Sequence, residues 1–210
     1  MSRHPVAECL ARMRAFDRRY DSRAGGYRSL VVDLEQRSPP AAKPNLPAGL
    51  SVRRWPRPNA AEYLALFHRV GDPWLWFGRL RLDPETLSGL LADDRYHFHR
   101  LYRGGEVVGL LELDRRVAGE VEIGYFGLVP EATGNGLGAA FLATAIAMAW
   151  EENVRRVWLH TCSEDHPAAL PSYLRAGFEP VAERVEWVDD PRRSGLLPPD
   201  AGPHVPMAAT

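Results

Sequence analysis

Between Val121 and Val129 the chain is dense in β-branched and aromatic residues, and Pro130, which has no N–H to offer a ladder, ends the strand this predicts. The texture then changes. From Leu137 to Trp150 no side chain is charged and only Thr144 carries a hydroxyl, so the spacing predicts a helix buried nearly all round. Its fourteen residues are too few to cross a bilayer. Between strand and helix lie Gly134, Asn135, Gly136, Leu137 and Gly138.

The other elements follow from the same periodicities. Val6, Leu10, Met13 and Phe16 fall at helical intervals in a short amphipathic segment that ends near Gly25-Gly26, and Tyr27–Gln36 reads as a strand. Four prolines in the nine residues from Pro39 to Pro47 make an extended linker. After it come a strand at Leu50–Trp55, a helix at Asn59–Val70 with Tyr63, Leu66, Phe67 and Val70 on one face, and a helix opened by Asp83 as N-cap. Tyr96–Tyr102 and Val107–Leu113 flank a tight turn at Gly104-Gly105 and lead antiparallel into the strand before the glycines. A strand at Arg156–Cys162, a short helix at His166–Ala176 and a strand at Phe178–Val188 follow, with helix-crossover strands expected to run parallel. This divides the chain into an arm (residues 1–48), a main domain (49–188) and a proline-rich tail (189–210).

Composition narrows the class. A hydrophobic fraction of 45% suits a globular core, and 26 Lys plus Arg against 27 Asp plus Glu give no field that would recruit nucleic acid or a membrane surface. The arm holds nine basic against five acidic residues, to which no partner is assigned. Cys9 and Cys162 alone form neither a disulfide framework nor a metal site, and the N-terminus lacks a leader's apolar run, so a cytoplasmic, reducing setting is expected, with no metal.

The glycine run carries the chemistry. The first N–H groups of a helix have no internal partners, and the macrodipole adds about half a positive charge there, so glycines at its mouth predict a cradle for a phosphate or pyrophosphate. The plain alternative is that the glycines only make a tight turn and let helix and strand pack closely. Gly134, Gly136 and Ala139 also fit a dinucleotide fingerprint, but antiparallel hairpins precede the loop and the next strand ends in His160-Thr161-Cys162 without the acid that pattern needs. A Walker loop is excluded for want of its lysine.

The order of elements resembles the GNAT superfamily of acyl-CoA-dependent N-acetyltransferases, and two motifs carry the resemblance. Thr133-Gly134-Asn135-Gly136-Leu137-Gly138 is similar to that family's phosphate loop, with Thr133 where the family has Arg or Gln. Residues 166–178 look like its Asn-x-x-Ala-x-x-x-Tyr-x-x-x-Gly-Phe helix, with His166 in place of the asparagine and Tyr173 at the general-acid position. The resemblance covers roughly residues 49–188 and implies an α+β fold: a mixed, mostly antiparallel sheet with one splayed parallel pair, flanked by helices.

It further implies acetyl-CoA as co-substrate, held by Thr133 to Ala139 and His166, with main-chain groups of Leu128 and Val129 meeting the pantetheine arm and polarising the acyl carbonyl. Tyr173 would protonate the leaving thiolate. Glu122 is the first candidate for the base that deprotonates the amine, on the pleat face expected to hold Gly124, Phe126 and Leu128. Glu112, His160, His97 and His99 are the alternatives. Trp74, Trp76 and Phe77, in a segment that also carries Arg79, suit either an acceptor pocket or a core. The expected acceptor is a small-molecule primary amine, acetylated in a ternary complex by a monomer or homodimer. A protein amine, or a non-catalytic CoA-binding module, stays open.

Overall fold

The computed structural model describes residues 6–16, 20–21, 25–41, 44–151 and 153–207. Their elements, in chain order, are α1 (Val6–Ala15), β1 (Tyr20–Asp21), β2 (Gly26–Gln36), β3 (Leu50–Arg54), α2 (Ala60–Gly71), α3 (Pro84–Ala92), β4 (Tyr96–Arg103), β5 (Glu106–Asp114), β6 (Glu120–Leu128), α4 (Leu137–Ala149), β7 (Arg156–Cys162), α5 (Ala169–Arg175) and β8 (Glu179–Asp189). The fold is mixed α and β, mostly antiparallel with one parallel strand pair, and it forms two compact units. No helix among the described residues is long and apolar enough to cross a membrane.

The glycine-loop unit spans residues 36–71 and 78–159. Its strands run in the order β7-β6-β5-β4-β3, antiparallel except for β6 against β7, where Glu120, Val121 and Glu122 pair with Arg156, Val157 and Trp158. Opposite residues of antiparallel strands share a face, so register sorts the side chains. Phe98 and Glu112 face α2, where the Tyr63 ring meets Phe98 edge-on at 5.5 Å between centroids. Leu111 and Phe126 face α4, where Phe126 and Phe141 lie 4.8 Å apart. Asp83 caps α3 as expected, accepting from the N–H groups of Glu85 and Thr86 at 3.1 and 3.0 Å.

One feature of β6 was not expected. Leu111 pairs with Phe126 and Leu113 with Ile123, so two residues on β6, Gly124 and Tyr125, stand opposite the single residue Glu112. This is a β-bulge, and it reverses the side-chain alternation beyond it. Glu122 and Gly124 remain on the α2 face, whereas Phe126 turns to α4. The expectation that Glu122, Gly124, Phe126 and Leu128 share one face is corrected accordingly.

The arm unit draws its described residues from 6–35, 72–77 and 160–207. The helix-crossover strands were expected to lie parallel; β8 does not ladder onto β7, and its partner is the arm's strand β2, with which it pairs antiparallel from Gly26 opposite Asp189 to Glu35 opposite Glu179. Leu30, Val31, Val32 and Leu34 are buried on both faces of β2, which ties the arm's strand into a core. The helix expected over His166–Ala176 is shorter, Ala169–Arg175, because Ala169 N–H closes a turn onto the His166 carbonyl at 2.7 Å. α1 ends at Ala15, and residues 17–19 and 22–24, over which the segment was expected to continue, lie outside the described residues. The tail folds around Arg192, whose buried guanidinium pairs with Asp190 at 2.7 Å and donates to the carbonyls of Ala201 and Val205 at 3.2 and 3.1 Å.

Candidate active site

At the mouth of α4 three successive residues adopt left-handed backbone, with φ of 93° at Gly134, 51° at Asn135 and 75° at Gly136. That conformation strains a residue with a Cβ, and asparagine is among the few that tolerate it. Nothing lies within 4 Å of a Cβ built at Gly134 or Gly136, and Gly138 meets only Leu128 Cδ1, at 3.8 Å. Close helix-to-strand packing is therefore not what these glycines provide. The turn is closed by the N–H groups of Thr133, Leu137, Ala139 and Ala140. Among the described residues this leaves the N–H groups of Gly134, Asn135, Gly136 and Gly138 over, at the positive end of a helix dipole. Such a row fits a pyrophosphate. Thr133 turns its hydroxyl back onto the Pro130 carbonyl at 2.7 Å and brings no positive charge.

The end of β6 supplies a second set of main-chain groups. Val129 donates its N–H to Val108 at 3.0 Å, and its carbonyl accepts from Ala132 at 2.9 Å, so the expectation that Val129 is free to bind pantetheine is corrected. Main-chain direction alternates along an antiparallel ladder, so Leu128, the residue before it, points its N–H and C=O to the opposite edge of β6. The parallel register with β7 ends at Glu122 opposite Trp158, and Leu128 lies six residues beyond.

Of the base candidates, Glu122 stands opposite Asp114 on the α2 face and is half-buried. Glu112, on the same face, has no exposure and accepts three hydrogen bonds: Tyr63 donates to Oε1 at 2.6 Å, while Tyr96 and Arg79 donate to Oε2 at 2.8 and 2.9 Å. Arg79 Nη2 also meets the Tyr96 hydroxyl, and its guanidinium lies 4.8 Å from the Tyr125 ring centroid. Burial and the Glu112 charge push both tyrosine hydroxyls well above their usual range. His97 and His99 pair with Leu113 and Leu111, on the α4 face away from Glu122. Burial and the neighbouring Arg54 hold His99 down at about 3, so it is neutral. In the sequence Tyr63 reads only as part of the apolar face of α2 and Arg79 only as part of the aromatic segment, and Tyr96 has no role beyond its strand; a lone arginine just after an aromatic run is the available signal.

The remaining candidates belong to the arm unit. Tyr173 is buried, with its ring edge-on to Phe178, and burial followed by the Asp165 charge raises its pKa, so it keeps its proton at neutral pH. His166 Nδ1 accepts the Ala168 N–H at 3.0 Å, a local cap. Its ring meets Trp74 edge-on at 4.8 Å between centroids, and His204 of the tail lies 5.4 Å from the same indole. Trp76 and Phe77 are half-buried, and His160 is exposed. Among the described residues no group of three His, Cys, Asp or Glu side chains is placed to hold a metal.

Comparison with known proteins fits this architecture. A GCN5-related N-acetyltransferase from Sphaerobacter thermophilus superposes with a TM-score of 0.51 at 21% identity, covering 88% of this chain and 57% of that one. A GCN5-related N-acetyltransferase from Kribbella flavida gives 0.50 at 22%, covering 78% and 58%. A mycothiol acetyltransferase of Cellulomonas flavigena is 29% identical over 195 residues, which take in 79% of this chain and 50% of the relative; the chain thus spans about half that relative's length. The sequence pattern of the Acetyltransferase (GNAT) family matches residues 55–178, more than half of the chain and the stretch that holds both the glycine loop and Tyr173, and the chain belongs to that family.

Proposed function

We propose that the protein transfers an acetyl group from acetyl-CoA to the primary amine of a small molecule by direct attack in a ternary complex, with residues 49–188 carrying the reaction. The observation that carries this reading is the row of leftover N–H groups at Gly134, Asn135, Gly136 and Gly138, which suits the CoA pyrophosphate. Leu128, with its main-chain groups turned to the outer edge of β6, is the donor for the oxyanion that forms when the amine attacks the thioester. Glu122 takes the ammonium proton directly or through one water. Glu112 does not, because it has no exposure and already accepts from Tyr63, Tyr96 and Arg79. Tyr173 protonates the departing thiolate, a role assigned by its place in the family motif. The name of the Cellulomonas flavigena relative supports the acetyl-transfer class.

Isothermal titration with acetyl-CoA, with NAD as control, tests the cofactor. A panel of primary amines then tests turnover, with wild type beside Tyr173→Phe and Glu122→Gln. Binding of acetyl-CoA alone, with turnover that falls at least tenfold in both variants, is the expected result. Binding without turnover of any amine would favour a non-catalytic CoA-binding module, a reading consistent with the uncharged Thr133. No binding would end both.

A further inference from the structure

The β6 bulge decides which main-chain groups reach the outer edge of that strand. With two residues opposite Glu112, Leu128 falls opposite Gly109, and Val129 bonds inward to Val108. Were the extra residue squeezed out, every position beyond it would shift by one. Phe126 would leave Phe141 for the other face, Gly127 would take Leu128's place opposite Gly109, and Leu128 would turn inward to Val108 in place of Val129.

Four side chains from four parts of the unit converge at the bulge. Glu112, opposite the bulge, is fully buried and receives Tyr63 from α2, Tyr96 from β4 and Arg79 from the turn after residue 77. A Cβ at Gly124 would come within 2.8 Å of the Tyr96 hydroxyl, so only glycine lets that hydroxyl cross the bulge. Tyr125, the other bulge residue, lies under the Arg79 guanidinium and edge-on to Phe67 at 4.8 Å between centroids, and its hydroxyl fills the space where Gly78 lacks a side chain. Arg79 and Glu112 cancel each other's charge.

We propose that the Arg79–Glu112 pair, with Tyr96 and Tyr63, is a register clamp: it holds Gly124 and Tyr125 in the bulge and so keeps Leu128, and not Gly127, opposite Gly109 at the outer edge of β6, with Val129 turned inward. These are positioning residues; none of them exchanges a proton with substrate. The structural half stands on the pairing alone, while its consequence for acetyl transfer rests on the function proposed above.

The test uses the full chain and the double variant Arg79→Met/Glu112→Gln, which removes both charges but leaves an amide oxygen for a tyrosine hydroxyl, beside Gly124→Ala. Removing the exposed Arg57–Asp94 pair, by Arg57→Met/Asp94→Asn, is the control. Amide exchange read residue by residue by NMR reports register directly. Wild type and control should protect Val129, and both bulge variants should lose that protection at least tenfold while α4 keeps its own. Where acetyl-CoA binds, the stretch of its 13C-labelled carbonyl should shift less in the bulge variants than in wild type. Unchanged Val129 protection in folded variants overturns the clamp. Lost protection with an unchanged carbonyl shift overturns its link to the acyl group. Failure of wild type to bind acetyl-CoA removes the proposed function and leaves the exchange result to decide the clamp. Should the double variant not fold, Gly124→Ala, which keeps every charge, gives the same reading.

Discussion

The hydroxyl of Tyr63 reaches from α2 to Glu112 Oε1 at 2.6 Å, from a ring without exposure to a carboxylate without exposure. A buried hydrogen bond to a charged acceptor is worth more than a neutral one because water cannot replace the lost donor. Tyr63→Phe keeps the ring against Phe98 and removes only that donor. It should cost about 2 kcal/mol in urea unfolding, with the Phe98 contact intact. A cost within error of zero would mean that water or Arg79 takes over the vacated lone pair.

The glycines of the loop separate by sign. Gly136 has a φ of 75° and open space around it, so Gly136→Ala pays only conformational strain, about 1 kcal/mol. Gly138 lies inside α4 with no steric obstacle, so Gly138→Ala should stabilise the protein by roughly 0.5–1 kcal/mol. Thermal unfolding of the two variants side by side checks the contrast. If both destabilise alike, the backbone of the loop is not what the φ values describe.

The elements were legible where local chemistry determines them. Pro130 ends β6, the uncharged run from Leu137 makes α4, Asp83 caps α3, and the left-handed turn is written in Gly134 and Gly136. The bulge was not, because Gly124-Tyr125 continues an apolar run in which an inserted residue changes nothing but the phase. The face assigned to Phe126 failed for that reason. Nor does any spacing reveal that Arg79 pairs with Glu112, 33 residues away, or that the arm's strand β2 takes β8 as its partner. Those pairings are settled by burial across the fold, and a carboxylate such as Glu112 looks the same in sequence whether it is a base or a buried strut.

His99 should make stability fall on the acid side. The unfolded chain takes up a proton near pH 6.5, whereas folded His99 resists it down to about 3, because burial comes first and Arg54, His97 and Arg115 add their charge. The folded form therefore binds fewer protons between those values, and stability present above about pH 6.5 is lost as pH falls toward 3. The loss is on the order of a few kcal/mol. Comparing unfolding free energies at pH 7 and 4.5 for wild type and His99→Leu checks it: the variant should show a smaller drop. His97, also held below its usual value by burial and Arg54, leaves some dependence in place.

Arg192 tests whether the tail is a folded part of the arm unit. Its side chain is 3% exposed, it pairs with an Asp190 carboxylate that has no exposure, and it gathers the carbonyls of Ala201 and Val205. Arg192→Met leaves Asp190 buried without its counter-charge, a loss of about 3–5 kcal/mol when both partners must stay inside. The tail has a cheaper escape, since residues 193–207 can undock and hydrate Asp190 while the strands stay paired. Undocking would break the Gly202 N–H bond to the Asp72 carbonyl and separate His204 from Trp74. The expected outcome is faster proteolytic cleavage within residues 193–207 and altered tryptophan fluorescence, with a smaller fall in the global melting temperature than a core ion pair would give. Asp190→Asn combined with Arg192→Met should slow cleavage again, because it removes the buried charge that drives the tail out. Equal cleavage in the single and double variants would assign the docking to the carbonyl bonds of Arg192 and not to its charge.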